Sequence, residues 1–122
     1  EDKELLFMAL NKLNLKWYVG LHSALYLQGK IWQIPNTLAI INSKFSGRKM
    51  VLGLKVQFIK IKESLIFGMK EKKSRNAIPH HYSDLAKTYL DLSYFRKSGK
   101  LVILKDTKKY IKKYPSWLHK LI

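Results

Sequence analysis

Two short motifs in the sequence combine residue types that enzymes use for catalysis. Glu71-Lys72-Lys73 matches the acid-x-Lys element of many nucleases, whose carboxylates hold a catalytic metal ion. That chemistry needs another carboxylate upstream, and residues 5–62 contain no Asp or Glu. The second motif is His22-Ser23, but neighbouring helical side chains point about 100° apart and cannot pair as base and nucleophile. We expect neither motif to be catalytic.

Metal and phosphate chemistry have equally little support in the sequence. His80 and His81 could ligate a metal, but there is no cysteine, and the nearest carboxylate, Asp84, is expected in the first turn of a helix. The six glycines are isolated, so no glycine-rich phosphate loop is present. These patterns predict a protein that is not an enzyme and that uses no cofactor or metal.

The distribution of charge favours a binding protein instead. The chain carries a formal net charge of +16, and its acid-free run of residues 5–62 is strongly cationic. Such an imbalance is self-repulsive and fits a polyanionic partner, either nucleic acid or an acidic protein. Because there are only three arginines, nucleic-acid contacts should be mostly to phosphate. The alternative is a lysine-rich proteome in which these side chains merely solvate the surface.

Three basic clusters are the candidate contact surfaces. Two occupy predicted loops, and the third would form one side of the last helix. The candidate residues for binding nucleic acid or an acidic partner are Lys44, Arg48, Lys49, Lys72, Lys73, Arg75, Lys108, Lys109, Lys112 and Lys113. Charged loop tips and the solvated face of an amphipathic helix are the alternative interpretations.

The apolar patterning predicts one domain over residues 1–122, of α/β (α+β) class. We expect a small mixed sheet of about three to four strands with helices packed on it. The predicted helices cover residues 2–13, 19–28, 82–95 with Ser83 as N-cap, and 106–114. The predicted strands cover residues 37–42, 50–62 with a bulge after Phe58, and 65–69, while residues 43–49 and 70–76 are predicted loops.

The aromatic residues are expected to be mostly structural. Trp17, Tyr18 and Trp32 are predicted to lie in the core or at its edge, and Phe45 to anchor its loop rather than stack on a base. The tail from Trp117, with Leu118, Leu121 and Ile122, could dock on its own core or on a partner.

The terminal and apolar segments bear on localisation. No apolar stretch approaches the roughly 20 residues of a membrane span, so no membrane association is expected. The acidic start, Glu1-Asp2-Lys3-Glu4, is unlike a secretory signal, and we predict a cytoplasmic protein. Because an initiating Met is lacking, we expect the chain to be a piece of a longer protein.

Two segments of the chain together resemble the C-terminal domain of the AbiEi family of antitoxins and transcriptional regulators. The first is Tyr18-Val19-Gly20-Leu21-His22-Ser23-Ala24-Leu25-Tyr26-Leu27-Gln28-Gly29. The second is Leu65-Ile66-Phe67-Gly68 with Tyr82-Ser83-Asp84-Leu85-Ala86-Lys87-Thr88-Tyr89-Leu90-Asp91-Leu92, similar to the family's Lys/Arg-Thr-x-Leu-Asp core. The likeness covers roughly residues 17–95. Ala86 stands where the family usually has Glu, which would leave a capping box begun by Ser83 incomplete.

The resemblance implies a binding module from a phage-defence toxin–antitoxin system. In this family the domain follows a winged helix-turn-helix that represses the operon, and it counters a nucleotidyltransferase-type toxin. Its basic surface can assist DNA binding. No winged-helix segment lies in these residues. The alternatives are a stand-alone nucleic-acid-binding domain contacting DNA or RNA phosphates and, less favoured, a degenerate metal-dependent nuclease.

Overall fold

The computed structural model describes residues 2–96 and 102–120, and these form five α-helices and a six-stranded sheet. The helices are α1 (Asp2–Lys12), α2 (Leu21–Leu27), α3 (Leu85–Arg96), α4 (Thr107–Ile111) and α5 (Ser116–His119). The strands are β1 (Trp17–Val19), β2 (Leu38–Asn42), β3 (Gly47–Val51), β4 (Leu54–Lys60), β5 (Met69–Lys73) and β6 (Pro79–Ser83). The mixed α/β class is confirmed, but the expected three to four strands were too few.

The sheet is mixed and has basic strands at both edges. Its order is β3-β4-β2-β1-β6-β5. Strand β2 runs parallel to β4, and β1 runs parallel to β6, while the other neighbours are antiparallel. The two edge strands, β3 and β5, have the highest proportion of lysine and arginine among the strands.

The central strands are buried on both faces of the sheet. Consecutive residues Ile40 and Ile41 of β2 are both fully buried, as expected for a strand covered on two sides. They pair in regular register with Phe58 and Ile59 of β4, so the bulge predicted after Phe58 is absent. Two consecutive residues of β4 are apolar there because the strand is covered on both faces: Phe58 packs in one core and Ile59 packs against the other.

Helices cover the two faces unequally. Helix α1 packs Leu6, Phe7 and Leu10 against one face. On the other face, α3, α4 and α5 form a second core around Tyr18 and Ile41. The long helix α3 is thus placed to connect the sheet to the C-terminal helices.

Strand β1 ends on Val19, the first residue of the predicted second helix. Residues Trp17–Val19 pair with both β2 and β6, and α2 begins only at Leu21. Tertiary pairing overrides the helical pattern here. At the junction, a Cβ on Gly20 would lie 2.4 Å from Ile41 Cδ1, so the close approach needs glycine.

Three further predictions fail at the sheet edges. Residues 65–69 are not a strand: a 3₁₀ turn at Glu63–Leu65 precedes β5. The predicted loops 43–49 and 70–76 contain most of β3 and β5 respectively. Strands exposed at an edge lack apolar alternation, so their sequences are indistinguishable from charged loops.

The N-terminus of α3 is capped by Asp84 rather than by Ser83. The Lys87 amide donates to Asp84 Oδ1 at 2.9 Å, the bond expected from an N-cap to position N3. Ser83 instead belongs to β6, and its hydroxyl lies 2.6 Å from that of Thr88. Position N3 is therefore Lys87, and Ala86 is not the capping-box position.

The C-terminal segment docks on its own core. Helix α4 ends before Pro115, and in α5 Leu118 is fully buried while Trp117 stacks on Tyr94 with ring centroids 6.1 Å apart. For the described part of the segment, docking on its own core is therefore the alternative that the structure supports, rather than docking on a partner. Leu121 and Ile122 lie outside the described residues. No helix in the described ranges is long and apolar enough to cross a membrane.

Candidate polyanion-binding and partner-binding surfaces

The first basic cluster follows the β3 edge of the sheet. Arg48 and Lys49 are exposed, and their pairing with Gln57 and Val56 directs them to opposite faces. Lys44 precedes the strand, and its ammonium donates to the Asn14 carbonyl at 3.1 Å. The cluster therefore presents cations on both sides of one edge rather than on a loop tip.

The second cluster follows the β5 edge. Lys70, Lys72 and Lys73 are exposed on the strand, and Arg75 is exposed in the turn after it. The acidic residue of this strand, Glu71, faces His81 of β6 at 3.7 Å. The nuclease-like motif thus places its glutamate beside a histidine on the neighbouring strand.

These two edges are well separated. Five strand spacings of about 4.8 Å place them roughly 24 Å apart. The β3 and β5 clusters therefore do not form one patch, and a single ligand must be extended to reach both.

The third cluster is the cationic ridge of Lys108, Lys109, Lys112 and Lys113, all exposed as predicted. Lys113 lies 4.6 Å from the centre of the Phe67 ring. Helix α4 is held by a 2.6 Å hydrogen bond from the Tyr110 hydroxyl to Asp84.

The ridge lies beside the segment that leads into β5. The Tyr110 ring is so close to Gly68 that a Cβ there would meet it at 3.1 Å. Helix α4 therefore packs beside the residue that precedes β5. A structural role also accounts for edge lysines, because charged edge strands oppose pairing between sheets of different molecules.

Trp32 is almost wholly exposed, contrary to the predicted core position. It lies in the connection between α2 and β2 with 97% of its surface accessible, and Ile34 nearby is 63% exposed. Exposed tryptophan is a common anchor of protein interfaces. The other aromatic predictions hold: Trp17 and Tyr18 are buried, and Phe45 packs on Phe58 at 4.8 Å.

The Lys-Thr-x-Leu-Asp segment of α3 forms a buried polar network. Lys87 and Asp91 are both 0% exposed, and the ammonium lies 2.8 Å from Asp91 Oδ1. The Tyr114 hydroxyl donates to the same oxygen at 2.6 Å, and the Tyr18 hydroxyl donates to Asp91 Oδ2 at 2.6 Å. The motif therefore ties α3 to β1 and to the C-terminal segment.

The electrostatics of this network follow from burial. Desolvation lowers the pKa of Lys87, although Asp91 acts in the opposite direction. Burial and the negative charge of Asp91 raise the pKa values of Tyr18 and Tyr114 well above the ordinary value. The Lys87 ammonium also lies 4.4 Å from the centre of the Phe67 ring. Every one of these contacts is inside the protein, out of reach of a ligand.

The side chains of the His22-Ser23 motif and of His80 make contacts within the domain. Ser23 is buried and accepts a 3.0 Å hydrogen bond from the Ala39 amide, whereas His22 lies 3.3 Å from the Arg96 guanidinium. His80 stacks on Phe7 at 4.4 Å. Across residues 2–96 and 102–120, no three His, Asp or Glu side chains are grouped to hold a metal ion.

Sequence reasoning missed two features of the surface. Nothing in the pattern around Trp32 distinguished an exposed tryptophan from a buried one. The buried pairing of Lys87 with Asp91 had a signal, namely i, i+4 spacing of opposite charges within an apolar helix, but that spacing is as common on exposed helices.

Together these elements define a small mixed α/β domain with cationic sheet edges, a cationic helix and one tryptophan, Trp32, that is almost wholly exposed. No protein-family model matches the chain, and no curated protein is significantly similar to it.

Proposed function

We propose that this domain is an antitoxin and transcriptional-regulator module that counters a nucleotidyltransferase-type toxin and assists DNA binding through its basic surface. The observation that carries the proposal is the exposed Trp32 with Ile34 in a strongly cationic protein. An exposed apolar anchor on a cationic protein suits an acidic protein partner, because the anchor supplies affinity and the charges supply orientation and association rate.

The sequence resemblance supports this proposal through the elements that it covers. Its two segments contribute β1, α2, β6 and α3, which are neighbours in the fold. The Lys87-Asp91 network holds these elements to the C-terminal helices. On this proposal the motif residues maintain the module, and the surfaces around Trp32 and the basic clusters make the contacts.

Coexpression with the nucleotidyltransferase encoded directly downstream tests the proposal. We expect the two proteins to copurify and the toxin's growth inhibition to be relieved. The absence of such a reading frame, or full toxicity in the presence of a soluble, folded domain, would contradict the proposal.

Replacing Trp32 with Ala should weaken the toxin complex by about 2 kcal/mol or more, roughly thirtyfold in Kd. Folding should be unaffected, because the side chain is 97% exposed. Calorimetric titration of the toxin measures the first effect and thermal unfolding the second. Leu13→Ala, another exposed apolar position, is the matched control. Equal affinity of the Trp32→Ala variant and the parent would refute the role of this residue.

A second candidate function, binding of DNA or RNA through phosphate contacts, is favoured by the cationic ridge. For duplex DNA, log affinity should then fall linearly with log salt concentration. Replacing Lys108, Lys109 and Lys112 with Gln should reduce that slope by up to about 0.9 for each lost contact.

The matched control for this experiment removes the same charge elsewhere. Lys12, Lys30 and Lys60 are also exposed and belong to none of the three clusters. Their replacement by Gln should leave the slope nearly unchanged. An equal loss of slope in both triple variants would show that only net charge matters.

A further inference from the structure

A cleft of about 340 Å³ lies on the α1 face of the sheet. Its apolar wall is built from α1, β1, α2 and β2, with residues 34–36 and the start of β4 at its border. The apolar side chains are Phe7, Val19, Leu27, Ile34, Leu38 and Leu54. A cleft of this size and composition falls in the range of small-molecule sites.

Four cationic side chains also line the cleft, and they come from separate parts of the chain. They are Lys3 of α1, Lys55 of β4, Lys72 of β5 and Arg75 in the following turn. Among the described residues, the lining contains one carboxylate, that of Glu4, which accepts hydrogen bonds from Ser74 and from the backbone and side chain of Asn76. These bonds lower the pKa of Glu4 and fasten the turn that carries Arg75. With Glu4 ionised, the lining keeps an excess of positive charge.

A buried histidine adds a polar group to the wall. His80 is 5% exposed and stacks on Phe7, which in turn stacks on Trp17 at 5.6 Å. Burial lowers the pKa of His80, and the neighbouring charge of Lys72 acts in the same direction. The imidazole is therefore neutral near pH 7. Its Nδ1 lies 3.5 Å from the Ile78 carbonyl and donates there, which leaves Nε2 to accept one hydrogen bond.

We propose that this cleft binds a nucleotide, with its base against the apolar wall and its phosphate beside Lys72 and Arg75. This inference is independent of the proposed function. A multiply charged phosphate can accept charge-assisted hydrogen bonds from both of these side chains at once. Inorganic phosphate would leave the apolar wall in contact with water. A planar base fills that wall, and His80 and Asn36 offer hydrogen-bonding groups to its edge.

Titration of the full chain with a set of matched probes tests the site. The probes are AMP, GMP, CMP and UMP, with adenosine, inorganic phosphate and dodecyl phosphate as partial or alternative ligands. Calorimetry and Trp17 fluorescence report binding, because Trp17 stacks on Phe7 of the cleft. At least one nucleotide should bind tenfold or more tightly than adenosine and inorganic phosphate. A 5′-phosphorylated hexanucleotide tests whether the ligand is a free nucleotide or the 5′ end of a nucleic-acid strand.

Substitutions locate the binding to the cleft. Lys72→Gln with Arg75→Gln should reduce nucleotide affinity about tenfold or more, because each loses a charge-assisted contact. Lys12→Gln with Lys60→Gln removes the same charge from exposed positions outside the cleft and outside the three basic clusters, and should change affinity less than twofold. Nucleotide binding no tighter than that of phosphate, tighter binding of dodecyl phosphate, or equal losses in both double variants would overturn the proposal.

Discussion

Replacing Lys87 with Met is expected to lower the free energy of unfolding by about 3–5 kcal/mol. The substitution leaves Asp91 buried without the ammonium that lies 2.8 Å from it. Two tyrosine hydroxyls still donate to the carboxylate, but they do not neutralise its charge. Urea unfolding followed by circular dichroism measures the change.

A double-mutant cycle isolates the ion pair from the loss of packing. Lys87→Met, Asp91→Asn and their combination should show a coupling of at least about 1 kcal/mol, because the second substitution removes a charge that the first leaves unpaired. Lys12→Met, at the exposed end of α1, is the control and should change stability by less than about 0.5 kcal/mol. Additive effects of the two substitutions would contradict a coupled ion pair.

Alkaline pH should unfold this protein steeply. The pKa values of Tyr18 and Tyr114 are raised above 10 in the folded state by burial and by Asp91. Above pH 10 the unfolded chain releases these two protons while the folded chain retains them. The contribution of the tyrosines to the free energy of unfolding is therefore fully present below pH 10 and decreases as the pH rises. Each tyrosine contributes a loss of about 1.4 kcal/mol per pH unit.

Lys87 acts in the opposite direction over a limited range. Its folded pKa is lowered, so its contribution to stability rises with pH until about 10.5, the ordinary value, and is constant above it. The tyrosine effect should therefore be clearest between pH 10.5 and 11.5 in urea unfolding. Tyr18→Phe should reduce the pH slope by about one proton. A free energy of unfolding that is constant over that interval would refute the prediction.

The helices were the most predictable elements of the fold. α1 was expected over residues 2–13 and covers Asp2–Lys12, and α3 was expected over 82–95 and covers Leu85–Arg96. Both carry an apolar stripe with helical spacing, and such a stripe is a local property of the chain. The buried strand β2 was predicted for a similar reason, since its continuous apolar run suits burial on both faces.

The edges of the sheet were not predictable in the same way. Strands β3 and β5 consist largely of exposed basic residues, and only their hydrogen bonds to β4 and β6 make them strands. Val19 was expected to begin a helix, but Trp17–Val19 form a strand because both neighbouring strands were available for pairing. These outcomes depend on partners that are distant in the sequence.

The same distinction applies to the candidate sites. By itself, the sequence determined the high positive charge, the acid-free run of residues 5–62 and the cluster of four lysines in residues 108–113. Only the tertiary structure decided that Lys87 and Asp91 are enclosed, that Trp32 is exposed, and that Lys3, Lys55, Lys72 and Arg75 line one cleft. The physical reason is that composition and helical spacing are local, whereas burial and the convergence of side chains depend on which segments pack together.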